Sequence, residues 1–351
     1  MGAAGDDQLE QAAPRGGEPG GHRALHRPGA DLRRGDGQPV TLAIVGYASL
    51  DYSTSTADFR GIDATSILRR GIVGVTPGIG GIAHIARAAI ATGEPVEAVS
   101  WVGPDSLGST WSEALVSSGC GTAGIATSGS RSPSATLIEV ATGGTICLFD
   151  PADCHPEHLT DQQRAALARS SCIVLTVSPR PLTVEILDMI ADEVTLVWAV
   201  KHDDDAYSTH TVRRLLARAD VVSFSSGERG YLSLDGRRPE TLVRPGTLVV
   251  ETHGARGVSW SFGSPDGGAR LGSVPVDAVS AVDTTGAGDT FIGTLAGLTA
   301  QSGPLSDRTD EEIAALVGSA SRAAADLLRS RSLSGPSAAA PLTHTPSKEN
   351  I

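Results

Sequence analysis

Cysteine is scarce in this chain. Four occur in 351 residues, Cys120, Cys147, Cys154 and Cys172, and no two form a C-x-x-C pair. Such usage argues against a disulfide-stapled scaffold and reads as reduced, buried thiols of the cytosol. No run of about 18 apolar residues occurs, so nothing is expected to span a membrane. The opening "MGAAGDDQLEQAAPRGG" lacks a basic n-region followed by an apolar core, so no secretory signal is read and a cytoplasmic location is expected. Positive charge is also in deficit, with 28 Lys and Arg against 40 Asp and Glu and a net charge of −12. That balance argues against nucleic acid or an anionic membrane as the main partner. Phosphates would have to be held locally, by backbone amides and a few cations. Internal repeats are missing, and so is G-x-x-x-x-G-K-[ST], which excludes a P-loop site.

What is present is a sizeable apolar fraction, 40%, in a chain longer than one undivided core usually serves. Residues 1–38 are Gly, Pro, Arg, Asp and Glu with few large apolar side chains, a composition that cannot offset its ordering entropy. They are read as a disordered extension, and residues 331–351 as a flexible tail of the same character. The region between, 39–330, alternates strand-like and helix-like stretches. "TLAIVGYASLD" (41–51), "VEAVSWVG" (96–103), "SCIVLTV" (171–177), "TLVWAV" (195–200), "ADVVSFS" (219–225) and "TLVVETHG" (247–254) read as strands. Helical spacing marks 81–93, 109–119, 181–192 and 208–218. The alternation implies an α/β fold, a mostly parallel central sheet with helices on both faces. Segments 52–79 and 133–149 break the pattern and are expected to form a small β lid. In such sheets the ligand crevice lies at the carboxyl ends of the strands. That places Asp51, Lys201, Ser225 and Gly254 near one crevice.

The stretch with most chemistry is "DTTGAGDTF" (283–291), followed by a small-residue run that reads as a helix start. A helix amino end leaves backbone N–H groups unpaired and carries about half a positive charge. Glycine at 286 and 288 would let an anion approach those amides, so Gly286, Ala287 and Gly288 form a plausible phosphate cradle. A carboxylate there, Asp289, suits either holding Mg²⁺ or accepting a proton from an attacking hydroxyl. The plain alternative is a residue that caps the helix and complements its dipole.

The same string resembles the C-terminal signature of the PfkB family of carbohydrate kinases, which have the ribokinase-like fold. The resemblance extends over most of residues 40–330. By that likeness Asp289 is the catalytic base, and the amides of residues 286–288 are the anion hole. Asp283 lies where many family members bind a monovalent cation such as K⁺. "VGYASLD" (45–51) is similar to the family's opening strand, whose last acid, here Asp51, binds substrate hydroxyls. "GGIAHIARAAIATG" (80–93) resembles the N-terminal signature and implies substrate contacts from Gly80, Gly81 and His84. "ADVVSFSSGE" (219–228) stands where relatives carry Asn-x-x-Glu. This implies Glu228 at Mg²⁺, through water, and Ser225 at the nucleotide. "ETHGARGV" (251–258) resembles the loop beside the adenine nucleotide, with Thr252, Gly254 and Gly257, and Thr285 joins that side. The implied function is ATP-dependent, Mg²⁺-assisted phosphorylation of a hydroxyl on a small sugar or nucleoside. A homodimer through the lid is the family-level expectation.

Two positions depart from the family pattern: His84 and Ser225 stand where Asn is usual. They leave open a catalytically weak sugar- or nucleotide-binding regulator on the same fold. "PGIGGIA" (77–83) also fits a dinucleotide fingerprint through Gly78, Gly80 and Ala83, but "LRRGIVGVT" before it is a poor strand. Cys154, His155 and His158 in "FDPADCHPEH" invite a metal, yet no second ligand pair follows at comparable spacing, so an ordinary loop is the reading. Lys201 and the "HDDD" after it read as a solvated acidic turn, the alternative being a lysine that reaches a nucleotide phosphate.

Overall fold

Leu42–Val45 (LAIV) has no side chain exposed on either face, which is why an unbroken apolar run, rather than an alternating one, forms the strand here. The structure, a computed structural model, describes residues 42–69, 76–141, 143–263, 268–277, 279 and 284–334, all within one unit of the chain. The expected N-terminal extension, Asp283 and the tail from 335 lie outside these residues.

The first half runs β1 (Leu42–Val45), β2 (Ala48–Thr56), β3 (Leu68–Arg69), β4 (Gly78–Gly81), α1 (Ala83–Ile90), β5 (Val96–Val102), α2 (Ser106–Ser117), β6 (Gly121–Thr127), β7 (Ser134–Val140) and β8 (Thr145–Asp150). It continues with α3 (Asp161–Arg169), β9 (Cys172–Leu175), α4 (Arg180–Met189), β10 (Thr195–Ala199), α5 (Thr209–Arg218), β11 (Val221–Ser225), α6 (Arg229–Leu232) and β12 (Leu248–Thr252). The chain closes with β13 (Val258–Gly263), β14 (Ala269–Val274), α7 (Ala287–Ser302) and α8 (Asp310–Ser334).

Nine strands form the large sheet in the order β14-β13-β12-β11-β10-β9-β1-β5-β6. It is parallel from β12 to β6, and the β13–β14 hairpin adds an antiparallel edge. Side chains of β1 alternate between two cores. Leu42 and Ile44 meet α1, α2, α7 and α8, while Ala43 and Val45 meet α3, α4 and α5. The helices therefore cover both faces, as the α/β pattern implied. No helix among the described residues is long and apolar enough to cross a membrane.

The second sheet has the order β3-β2-β7-β8, with β4 on the other part of β2. Its members fall inside or beside the two stretches that broke the βα alternation. The expected strand over 41–51 is in fact two. The chain leaves the large sheet after Val45, turns at Gly46 and Tyr47, and enters the lid as β2. Asp51 is thus a lid residue. Gly81 likewise ends lid strand β4 rather than opening a helix, and α1 starts only at Ala83. The fingerprint glycines Gly78 and Gly80 sit on this antiparallel lid strand, not at the carboxyl end of a parallel one. Residues 331–334, expected in the tail, complete α8, whose first turn carries Asp310, Glu311 and Glu312 against the positive end of its dipole.

The small residues Gly293 and Gly297 bring α7 close onto α1 and the turn after it. A side chain at Gly293 would strike the Ile85 carbonyl.

Candidate active site

The carboxyl ends of β1, β9, β10 and β11, the start of α7 and the inner face of the lid enclose a cavity of about 540 Å³. Its wall includes Asp51, Gly81, Glu228 and Asp289 from the residues read off the sequence, together with Lys201. Gly80 and His84 stand just behind it.

Asp289 is in the first turn of α7, whose N-cap is Gly286 with φ 73°. This left-handed conformation strains any side chain, and a Cβ there would also come 3.2 Å from the His84 ring. The backbone conformation favours glycine outright, and the contact would in addition make the His84 ring give by a few tenths of an ångström. The first intrahelical bond runs from Thr290 N–H to the Gly286 carbonyl at 2.8 Å. The Ala287 amide turns back onto the Thr284 carbonyl at 3.2 Å. It is therefore not a free donor, which corrects the expectation for residue 287. The amides of Gly288 and Asp289 have no protein acceptor among the described residues, and they point out of the helix end as unpaired donors.

Lys201, just past the end of β10, places its Nζ 3.3 Å from Asp289 Oδ1. Its side chain is half exposed, and the Asp289 carboxylate holds its ammonium above the ordinary lysine range. Of the two readings of "KHDDD", the solvated turn gives way at residue 201. The flanking His202 instead stacks on Tyr231, with ring centroids 4.3 Å apart.

Asp51 faces Asp289 across the cavity. Burial raises its pKa even though the Ser49 hydroxyl donates to its Oδ1. In β4, Gly80 lies opposite Ser49, and a side chain at Gly80 would overlap the Asp51 carboxylate. Its carbonyl is fixed from behind by Trp111 Nε1 at 3.0 Å. Burial pulls the His84 pKa down, against the attraction of Asp289.

Glu228 is anchored by Ser225. The Ser225 amide and hydroxyl both donate to Glu228 Oε2, at 2.8 and 3.0 Å. Ser225 thus holds the carboxylate from three residues away even though the usual Asn is missing. Ser225 is also in register with Thr252 on β12, and the turn from Gly254 to Gly257 follows directly. The Thr285 carbonyl accepts from Arg331 of α8. Thr252, Gly254, Gly257 and Thr285 do not line the cavity. No group of three or more His, Cys, Asp or Glu among the described residues is arranged to hold a metal.

The loop with Cys154, His155 and His158 has structural contacts. Cys154 is buried, and His158 Nδ1 lies 3.5 Å from Glu185. The His155 ring packs edge-on against Tyr47 at 5.0 Å and Trp101 at 6.0 Å. Burial pulls its pKa down to about 4. Between that value and the ordinary 6.5 the unfolded chain binds the proton more readily, so stability falls as pH drops through this window. We expect the melting temperature of His155→Phe to depend less steeply on pH between about 6.5 and 4 than that of the wild type. Parallel melting curves in that range would contradict this.

A family model described as pfkB family carbohydrate kinase matches residues 42–336. The chain belongs to that family. It is by family an ATP-dependent carbohydrate kinase. Ribokinase from Haemophilus influenzae is 28% identical over 223 residues, which is 60% of this chain and 70% of that protein. Among solved structures, a fructokinase with bound ATP from Xylella fastidiosa aligns at TM-score 0.65 and 19% identity, over 82% of this chain and 92% of that one. Arabidopsis thaliana ribokinase complexed with ribose and ATP aligns at TM-score 0.64 and 19% identity, over 83% and 93%. The last two likenesses are of fold. The family membership sets aside the dinucleotide-fingerprint reading of Gly78, Gly80 and Ala83.

Sequence reasoning left the cavity's aromatic wall, Tyr47 and Phe149, out of the site. Strand alternation within the expected lid segment 133–149 puts Cys147 and Phe149 on one face.

Proposed function

We propose that this kinase transfers the γ-phosphoryl group of ATP to a hydroxyl of a small sugar or nucleoside, with Asp289 as general base. The observation that carries the reading is the placement of Asp289. Its carboxylate faces the cavity from the first turn of α7, beside two unpaired amides and opposite Asp51. In this reading Asp51 accepts hydrogen bonds from acceptor hydroxyls, and Gly80 keeps that carboxylate uncovered. Asp289 removes the proton as the acceptor oxygen bonds to the γ-phosphorus and the bond to the β-phosphate oxygen breaks, releasing ADP. The amides of Gly288 and Asp289, with the Lys201 ammonium, meet the charge on the transferring group. ATP approaches along Ser225, Thr252 and the 254–257 turn, past Thr285.

The residues present fit a magnesium ion carried mainly by nucleotide phosphates and water: Glu228 lines the cavity, and no group of three or more His, Cys, Asp or Glu among the described residues forms a cage of protein ligands. Bound Mg²⁺ would neutralise phosphate charge. For a monovalent cation, Asp283 remains the candidate.

The test is ADP release over a panel of pentoses, hexoses, their phosphates and nucleosides. At least one acceptor should raise ADP release well above the acceptor-free rate. Tight acceptor binding without any ADP release would instead favour the regulator.

A further inference from the structure

We infer that the acceptor is a nucleoside, a hydroxylated ring joined to a flat heterocycle, rather than a free monosaccharide. This rests on the kinase reading above and narrows it. The inner face of the lid carries Asp51, Ala135 and Phe149 in one cross-strand row, because Asp51 pairs with Ala135 and Ala135 with Phe149. All three line the cavity. Two strand spacings, about 10 Å in all, separate the backbone positions of Asp51 and Phe149, and the side chain between them is only a methyl group. A hydroxyl-binding end and an aromatic end are thus set apart along one wall with open space between.

The aromatic end is braced. Tyr47, which also lines the cavity, packs on Phe149 with centroids 5.1 Å apart, and His155 packs on Tyr47. Phe149 keeps 37% of its surface exposed. A ring in contact with solvent on one side and held by Tyr47 on the other offers a face for stacking.

The next cross-strand pair on this face is Leu137 with Cys147, both in the wall. Ile82, Ile85 and Val177 also line the cavity. A monosaccharide bears hydroxyls around its whole ring, and those directed at this surface would lose water without gaining a partner. On the lid face only Asp51 and Ser49 are polar where the cavity is lined, and the Ser49 hydroxyl is already given to Asp51. A nucleoside gathers its hydroxyls at one end and presents a flat base at the other, which matches the row. A cavity of about 540 Å³ accommodates a ligand of that size.

The experiment is calorimetric titration of the full-length protein, with a non-hydrolysable ATP analogue present, using adenosine, inosine, uridine, cytidine, D-ribose and D-fructose. At least one nucleoside should bind ten times or more tighter than either free sugar. Phe149→Ala should weaken nucleoside binding on the order of tenfold, the scale of base stacking on an aromatic side chain, and leave the sugars unchanged. Phe149→Leu, which keeps apolar volume but no flat face, should behave alike, and Phe149→Tyr should restore affinity. Retained binding of the ATP analogue shows that each variant is folded. Free sugars binding as tightly as nucleosides, equal losses for both classes in the Phe149 variants, or binding by neither class would overturn the inference. Nucleoside binding with no ADP release would leave it standing and remove the kinase reading instead.

Discussion

Asp289→Asn is expected to lower kcat by about 10²–10⁴-fold, the range of general acid–base catalysis, with little change in KM for either substrate. The substitution keeps the side chain's shape and one oxygen near Lys201 while removing the proton acceptor. Its effect on folding should be small. Asp289 pairs with a lysine that is 50% exposed, and such partly solvated pairs contribute roughly 0–1 kcal/mol. Activity and stability therefore separate cleanly. A variant with near-wild-type melting temperature and turnover reduced by orders of magnitude fits the account. One that turns over at close to the wild-type rate means that another group takes the proton.

The second large effect is expected at Lys201. Replacing it by Met should lower kcat by roughly 10²–10³-fold, the size seen when one preorganised donor to a developing charge is removed. Acceptor affinity should hold, because Asp51 and the lid wall are untouched. The ammonium, 3.3 Å from Asp289 Oδ1, places positive charge where the phosphoryl group must arrive. The carboxylate keeps Lys201 protonated across the ordinary pH range, since it raises the lysine's pKa. The wild type should therefore lose no activity from this group at neutral pH. Lys201→Arg retains charge but changes its shape and reach, so part of the loss should return. Unchanged kcat in Lys201→Met would limit the lysine to a surface ion pair.

Most of the large sheet could be read from the sequence because its central strands are unbroken apolar runs between helical periodicities. Leu42–Val45 and Cys172–Leu175 stand out in this way. The lid was harder to place. Gly46 and Tyr47 turn the chain from one sheet into the other without a proline or a polar loop, so 41–51 read as one strand. The β13–β14 hairpin and α8 were not anticipated. The hairpin has one exposed face, and α8 carries charges throughout. At the site, Gly286 announced itself because a left-handed N-cap tolerates little else. Lys201 did not, because its importance comes from a partner 88 positions away in sequence. The Ala287 amide was misjudged for a similar reason. Composition indicates an open helix end, but the 284–287 turn decides which amides are free.

The most direct measurement is a crystal structure of the protein with acceptor and a non-hydrolysable ATP analogue. The account predicts the acceptor hydroxyl within about 2.6–3.2 Å of an Asp289 carboxylate oxygen, with the γ-phosphate against the Gly288 and Asp289 amides. A γ-phosphate bound away from the start of α7, or an acceptor hydroxyl facing a different carboxylate, would contradict it.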